Sequence, residues 1–273
     1  VCVMNKNVLI SWTSMLAFLC SVPALAVAPN STDARAIMDG VFDRETGDRL
    51  SSKMVMVIED KSGRKRERAL NVRSMNFPDG SKSLMRFSAP ADVKNTGLLS
   101  VDYDDGAKDD DQWLYLPSLR KSTRIASTQK SGSFMGTDFS YADMTKADLK
   151  DYDYKILKQS VQVNGQDCWL LEARPKTEKA ARETGYLKTN IWVDKARMIV
   201  LQTKAWVKAG KRLKYLKFEE IKKVDGIWVI HKLSAQTRKG KSIESTTVMI
   251  YSELTLNDKG ITEKDFSQRE MEQ

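Results

Sequence analysis

Alternation of apolar and polar residues, with a period of two, dominates the chain from residue 53 onwards. In the stretch KYLKFE at 214–219, Leu216 and Phe218 alternate with Lys217 and Glu219. This pattern is typical of a strand with one buried face. Pairs such as Asn164-Gly165 favour tight hairpin turns between such stretches. The sequence therefore predicts about eleven strands, joined mostly by tight turns into an antiparallel meander.

Two of the predicted strands are apolar on both faces, MVMVI at 54–58 and WLYL at 113–116. A strand of this kind needs a cover on each side, such as a helix, a bound ligand or a partner. A curved, incomplete barrel with helices across its mouth would provide it, and so would a closed barrel around an apolar ligand. Short helices are predicted at 33–43, in parts of 137–150, at 178–184 and at 262–270.

The stretch SFMGTDFSYADM at 133–144 fits neither a strand nor an ordinary loop. It is too apolar for a surface loop, and Gly136, Asp138 and Asp143 interrupt it too often for a core strand. One hypothesis is a lid over the mouth of the barrel. The other is a permanent part of the core, because apolar lids and apolar cores have the same composition.

The first 26 residues have the features of a secretory signal. Lys6 precedes an apolar run at 8–19, and the small-x-small pattern at 24–26 suits a signal peptidase. Residues 1–26 are therefore expected to be a cleaved signal peptide, with cleavage near Ala26 or Ala28 and a single domain at 27–273. Leu19 before Cys20 argues against lipidation there, since a small residue normally precedes a lipid-modified cysteine.

Composition and charge narrow the classes of function. The chain has 273 residues, of which 41% are hydrophobic and 30% charged, and its formal net charge is +9. This is enough apolar mass for a substantial core. The basic run RKRER at 64–68 is either a solvated hairpin face or a patch for an anionic membrane or partner. Export makes nucleic acid an unlikely partner, and Cys168 alone in 27–273 allows no internal disulfide.

Candidate catalytic chemistry is sparse. His231 stands in the strand-like IWVIHKLS, with no cysteine at metal-ligand spacing, and Cys168 lies in an apolar strand. The acidic stretch at 102–111 does not have the ligand pattern of a calcium loop. No nucleophile elbow, phosphate loop or zinc-hydrolase helix occurs in the sequence. We therefore expect no enzyme activity, no cofactor and no metal.

The stretch DQWLYLPSLRKSTRIASTQKSGSFMGTDFSYADM closely resembles the signature of exported outer-membrane lipoprotein-sorting proteins, relatives of the carrier LolA. Thr123 departs from the pattern, because many relatives have a second arginine there. The likeness extends from about residue 34 to 266 and includes IWVD at 191–194. The matching residues are Trp113, Tyr115, Pro117, Arg124, Ile125, Gly132, Ser133, Phe134, Gly136, Thr137, Asp138, Phe139, Ser140, Tyr141 and Asp143.

The resemblance implies a LolA/LolB-like antiparallel half-barrel, with helices covering its concave face, and a periplasmic location. It also implies that a monomer binds acyl chains of lipids or lipoproteins, with an inner-membrane RND-type transporter and an outer-membrane acceptor as partners. Two functions remain open. A carrier would move its cargo towards the outer membrane, whereas a sensor or adaptor would bind a lipid-linked or protein partner without transport.

The cavity of such a half-barrel would be lined by apolar side chains of the strands and of the 133–144 stretch. A register error of one residue would exchange the inward and outward faces of a strand. The predicted lining residues are Met54, Met56, Leu114, Leu116, Phe134, Met135, Phe139, Trp192, Trp206, Trp228 and Ile230.

Overall fold

A computed structural model describes residues 27–105 and 108–273, so the predicted signal peptide lies outside the described residues. Thirteen strands form one antiparallel sheet. They are β1 (Arg49–Asp60), β2 (Lys65–Phe77), β3 (Gly80–Ala89), β4 (Gly97–Tyr103), β5 (Asp111–Leu116), β6 (Lys121–Arg124), β7 (Tyr152–Val163), β8 (Gln166–Pro175), β9 (Tyr186–Asp194), β10 (Ile199–Val207), β11 (Arg212–Val224), β12 (Ile227–Lys239) and β13 (Ser242–Leu256).

The strand order is β6-β5-β4-β3-β2-β1-β13-β12-β11-β10-β9-β8-β7. Except for β6 and β7, strands that are neighbours in sequence are neighbours in the sheet, as the tight turns predict, and the sheet is continuous because β1 also pairs with β13. Its two edges, β6 and β7, are consecutive in the chain. Their connection, residues 125–151, is called the crossing segment. The antiparallel half-barrel is confirmed, with thirteen strands where about eleven were expected.

In the part of the chain that the structure describes, three α-helices flank the sheet: α1 (Ala34–Phe42), α2 (Glu178–Thr184) and α3 (Gln268–Glu272). The Asp33 carboxylate caps α1 by accepting hydrogen bonds from the amides of Arg35 and Ala36 in the first turn. The crossing segment contains four single 3₁₀ turns instead of a longer helix. No helix within 27–105 and 108–273 is long and apolar enough to cross a membrane.

The two faces of the sheet have different covers. Ile37 and Met38 of α1 pack on Trp169 and Leu171 of β8, and we call this side of the sheet the inner face. The crossing segment covers the inner face of β1–β3, β12 and β13. The C-terminal segment with α3 covers the opposite, outer face of the β2–β5 region, instead of joining the helices on the concave side.

These covers explain the strands that are apolar on both faces. Trp113 and Tyr115 of β5 pack beneath Phe266 and Met271 on the outer face. Leu114 lies on the inner face, opposite Leu98 in the register of β4 and β5. A strand covered from both sides loses the simple apolar–polar alternation of a half-buried strand.

Two glycines provide a matched test of backbone constraints. Gly80 has a φ of +145°, and a Cβ there would lie 2.0 Å from the Asp102 carbonyl oxygen. Gly63 has a φ of +78°, but a Cβ there would have no atom within 4 Å. We predict that Gly80→Ala lowers the free energy of unfolding by at least about 3 kcal/mol, because backbone strain and overlap add. Gly63→Ala should cost about 1 kcal/mol, from strain alone. Equal losses in urea unfolding would contradict this explanation.

Candidate functional site

An apolar cavity of about 230 Å³ lies on the inner face. Met38 and Phe42 of α1 form one wall, and Phe139 of the crossing segment forms another. Strands β7 to β12 form the floor. The floor residues are Tyr152, Tyr154, Ala173, Tyr186, Thr189, Ile191, Thr203, Ala205, Leu216, Phe218 and Leu233.

A row of small side chains creates the space. Ala173 of β8 lies opposite Thr189 of β9, and Thr189 lies opposite Ala205 of β10. Thr203 also lines the cavity, and its hydroxyl has no hydrogen-bond partner among the described residues. Because these side chains on adjacent strands are small, they do not fill the space between the sheet and Phe139. Sequence reasoning missed this row because it searched for large apolar residues. Small residues at alternate positions of neighbouring strands are the signal that could have revealed it.

A buried ion pair lies at the end of this row of small side chains. Lys214 of β11 lies opposite Ala205, and its Nζ is 3.0 Å from Oδ2 of Asp143 in the crossing segment. The two side chains are only 9% and 10% exposed. The Tyr186 hydroxyl donates to Asp143 Oδ1 at 2.7 Å and accepts from Lys214 Nζ at 2.8 Å. Burial, reinforced by Asp143, holds the pKa of Tyr186 well above its usual value. The phenol therefore remains a neutral donor to the carboxylate.

Asp138 fixes the crossing segment to the centre of the sheet. Its Oδ2 accepts a hydrogen bond of 2.8 Å from Thr247 Oγ1 of β13, and its Oδ1 accepts from the hydroxyls of Thr237 and Ser245. Its own amide donates to Thr247 Oγ1 at 3.0 Å. The side chains of Asp138 and Thr247 are buried. Three hydroxyl donors satisfy a carboxylate that would otherwise be costly to bury.

The aromatic residues of the crossing segment fill the space between this anchor and the sheet. Phe134 is 0% exposed, and its ring centroid lies 6.0 Å from that of Phe87. Met135 has a φ of +50°, and its carbonyl oxygen accepts a hydrogen bond of 2.6 Å from Arg68 Nη1. Phe134 is thus core, while Phe139 both packs in the core and lines the cavity. The core hypothesis describes Phe134, whereas a lid around Phe139 stays a prediction.

The other predicted lining residues lie elsewhere. Met54 and Met56 are fully buried in the core with Phe134, and Leu114 and Leu116 are half-buried on β5. Trp192 alternates with the inward Ile191 and Val193, so it lies on the outer face, where it packs in one cluster with Trp228 and Ile230. Trp206 follows the inward Ala205 and is also on the outer face. Of the predicted set, Phe139 is the residue that lines this cavity.

The residues considered for catalysis lie away from the cavity. Cys168 is buried, and desolvation, reinforced by Asp194, raises the pKa of its thiol to about 11. Nδ1 of His231 lies 3.1 Å from the Glu220 carbonyl oxygen. Within the described ranges, no three His, Cys, Asp or Glu side chains are arranged to hold a metal ion.

Asp102 anchors the far end of the crossing segment. Its Oδ1 accepts a hydrogen bond of 3.0 Å from the Lys146 amide. Burial, and after it the Asp110 carboxylate, raise the pKa of Asp102 to about 7 against the opposing effects of Lys146 and Lys130. The charge of Asp102, whose carboxylate holds the C-terminal part of the crossing segment, therefore changes with pH near neutrality.

Removal of the central anchor should loosen the crossing segment. We predict that Asp138→Ala lowers the free energy of unfolding by about 3 to 5 kcal/mol, because three hydroxyls lose their charged acceptor. Trypsin should also cut faster after Lys130 and Lys146, which lie within the segment. Asp153→Ala, at an aspartate whose side chain is 76% exposed, is the control and should change stability by less than about 0.5 kcal/mol. Equal stability of the two variants would contradict the anchor.

Asp102 should give the protein a characteristic pH profile. Its pKa rises from about 4 in the unfolded chain to about 7 in the folded protein, so the folded state binds more protons between these values. We predict that the free energy of unfolding of the native protein falls from pH 4 to pH 7 relative to Asp102→Asn. The difference should reach a few kcal/mol at most, since one pKa unit corresponds to about 1.4 kcal/mol. Parallel profiles of the two proteins would contradict the assignment.

Solved structures similar to this chain share its architecture. An outer membrane lipoprotein-sorting protein domain from Vibrio parahaemolyticus is 30% identical, with a TM-score of 0.78 over 88% of this chain and 98% of that one. A DUF1329 family protein from Desulfovibrio piger is also 30% identical, with a TM-score of 0.78 over 87% of this chain and 97% of that one.

A more distantly related solved structure has the same fold, and a family model matches much of the sequence. The LolA superfamily protein NE2245 from Nitrosomonas europaea is 17% identical, with a TM-score of 0.64 over 88% of this chain and 100% of that one, and it shares the fold. A family model described as "Uncharacterized protein" matches residues 79–273. The comparison with curated proteins gave no significant match. The chain belongs to the outer membrane lipoprotein-sorting protein family and has the LolA-like half-barrel fold.

Proposed function

We propose that the protein is a non-catalytic periplasmic carrier, which binds acyl chains of lipids or lipoproteins in the inner-face cavity. The observation that carries the proposal is the row of small residues, Ala173, Thr189 and Ala205, which keeps an apolar space open in a well-packed sheet. Apolar cavities of this kind bind apolar ligands. The family membership is consistent with this cargo.

The energetics of an acyl chain fit such a space. Each buried methylene contributes about 0.8 kcal/mol, so ten of them contribute about 8 kcal/mol, which corresponds to micromolar affinity. The cavity of about 230 Å³ is smaller than the roughly 300 to 1,000 Å³ of most ligand pockets. A complete long chain therefore needs further room. Phe139 borders both the cavity and the core, so displacement of this part of the crossing segment would join the two spaces.

Transport follows from the same proposal. The protein would receive its cargo at the inner membrane, with an RND-type transporter as the donor, and deliver it towards the outer membrane. The family resemblance of the sequence supports these partners. Release of the cargo requires the wall of the cavity to move, and Thr145 and Ala147 place the C-terminal part of the crossing segment in that wall.

Thr203 offers a test with a matched control. Thr203→Phe should fill the cavity, whereas Thr203→Val keeps the volume and removes a hydroxyl without a partner among the described residues. Full-length proteins are expressed with a C-terminal tag, purified without detergent and extracted with organic solvent for mass spectrometry. We predict about one acyl-chain ligand per molecule in the native protein and in Thr203→Val, and at least a tenfold loss in Thr203→Phe.

Thermal unfolding distinguishes loss of binding from loss of folding. Thr203→Phe should unfold cooperatively, because the added ring enters existing space. Native protein without bound lipid, which also fails to bind a fluorescent fatty acid, would contradict the carrier and favour the sensor or adaptor. Equal lipid content in all three proteins would show that lipid binds outside this cavity.

A further inference from the structure

The outer face of β9 to β13 combines basic and apolar side chains in register. Neighbouring strands place Lys188, Trp206, Leu213, Arg238 and Ile243 opposite one another, in a row across five strands. Ile243 is 43% exposed. The described helices pack elsewhere, on the inner face or over β4–β6. Basic side chains and aromatic rings thus lie together on a surface of the sheet that the described helices do not cover.

The next row repeats the combination. Lys204 of β10 lies opposite Tyr215 of β11, and its Nζ is 4.8 Å from the centroid of the Trp206 ring. Lys188 Nζ approaches the same ring at 4.3 Å, and Arg238 Cζ lies 5.2 Å from the centroid of Tyr215. These cation–π contacts hold positive charge against the aromatic rings at the sheet surface.

A similar group lies towards the other ends of these strands. Lys223 Nζ is 5.2 Å from the Trp228 ring centroid, and Arg197 Cζ is 5.5 Å from it. Trp228 packs with Trp192 in the outer-face cluster. The basic and aromatic surface therefore extends along the strands as well as across them.

Acids balance only part of the positive charge of this face. Glu172 pairs with Lys188, Glu219 pairs with Lys232, and Asp194 pairs with Arg197. Across the described ranges, no carboxylate forms an ion pair with Lys204 or Lys217. Lys217 is exposed beside Tyr215. The net charge here is positive, and its complement is an anionic surface.

We infer that the outer face of β9 to β13 docks on anionic phospholipid bilayers. Positive charge spread over a sheet face matches an extended layer of headgroups. Tryptophan and tyrosine rings suit the boundary between headgroups and acyl chains, and exposed Ile243 and Ile250 add apolar contact. Because the acyl-chain cavity lies on the opposite face of the sheet, this surface is separate from the proposed cargo site.

Vesicle binding tests the inference. Full-length protein with a C-terminal tag is sedimented with vesicles of phosphatidylcholine alone or with 30% phosphatidylglycerol, a composition of about one anionic lipid in three. The test variant is Lys204→Glu/Lys217→Glu. The control, Lys94→Glu/Lys121→Glu, changes the net charge equally at exposed lysines near β3 and β6. Circular dichroism and thermal unfolding confirm that each variant is folded.

We expect native protein to bind the anionic vesicles and not the neutral ones. Removal of one basic residue near an anionic surface weakens binding about fivefold, so the test variant should lose at least about 25-fold. The control should stay within about twofold of the native protein. Equal losses in both variants would show that binding depends only on the net charge of the protein, and this would overturn the inference. Absence of binding to anionic vesicles would also overturn it and would favour an acidic protein as the partner of this face.

Discussion

The fold depends on one buried carboxylate. The edge strands β6 and β7 are consecutive in the chain but lie at opposite ends of a thirteen-strand sheet, so their connection has to cross the inner face. Asp138 fixes that connection at the centre, through the hydroxyls of Thr237, Ser245 and Thr247 on β12 and β13. Those strands pair with β1 and β11, so the anchor joins the crossing segment to the middle of the half-barrel.

The cavity follows from the position of this anchor. Phe134, on one side of Asp138, packs into the core over β1 to β3, where large residues such as Met56 and Phe87 meet it. On the other side, the segment passes over β9 and β10, where Thr189 and Ala205 provide little bulk. Helix α1 covers the adjoining floor but leaves a gap beside Phe139. The space is therefore set by the sizes of side chains on three neighbouring strands.

The sequence could predict the sheet but not the cavity. Alternation and turns such as Asn164-Gly165 depend on local chain geometry, so the meander and its hairpins follow from nearby residues alone. Helix α1 could be predicted for the same reason, since the spacing of Ile37 and Met38 is a local signal. The inward face of each strand depends on register, and Trp192 and Trp228 were assigned to the cavity although both lie on the outer face. Aromatic residues covered by cations look like core in a sequence, because cations such as Lys188 over Trp206 and Lys223 over Trp228 come from a neighbouring strand.

The contacts of Asp138 and of Asp143 in the crossing segment differ in what they contribute. Asp138 bonds to neutral hydroxyls, so separation at this one contact would leave only small neutral polar groups of β12 and β13 without an acceptor. Asp143 pairs with Lys214, and separation of these two side chains would leave a buried ammonium at the end of the cavity floor. Because ion pairs gain little over their cost of desolvation, this pair specifies where the segment sits more than it stabilises the fold. On the carrier proposal, the end of the segment beside the cavity would therefore move, while the contacts of Asp138 keep the core beneath Phe134 closed.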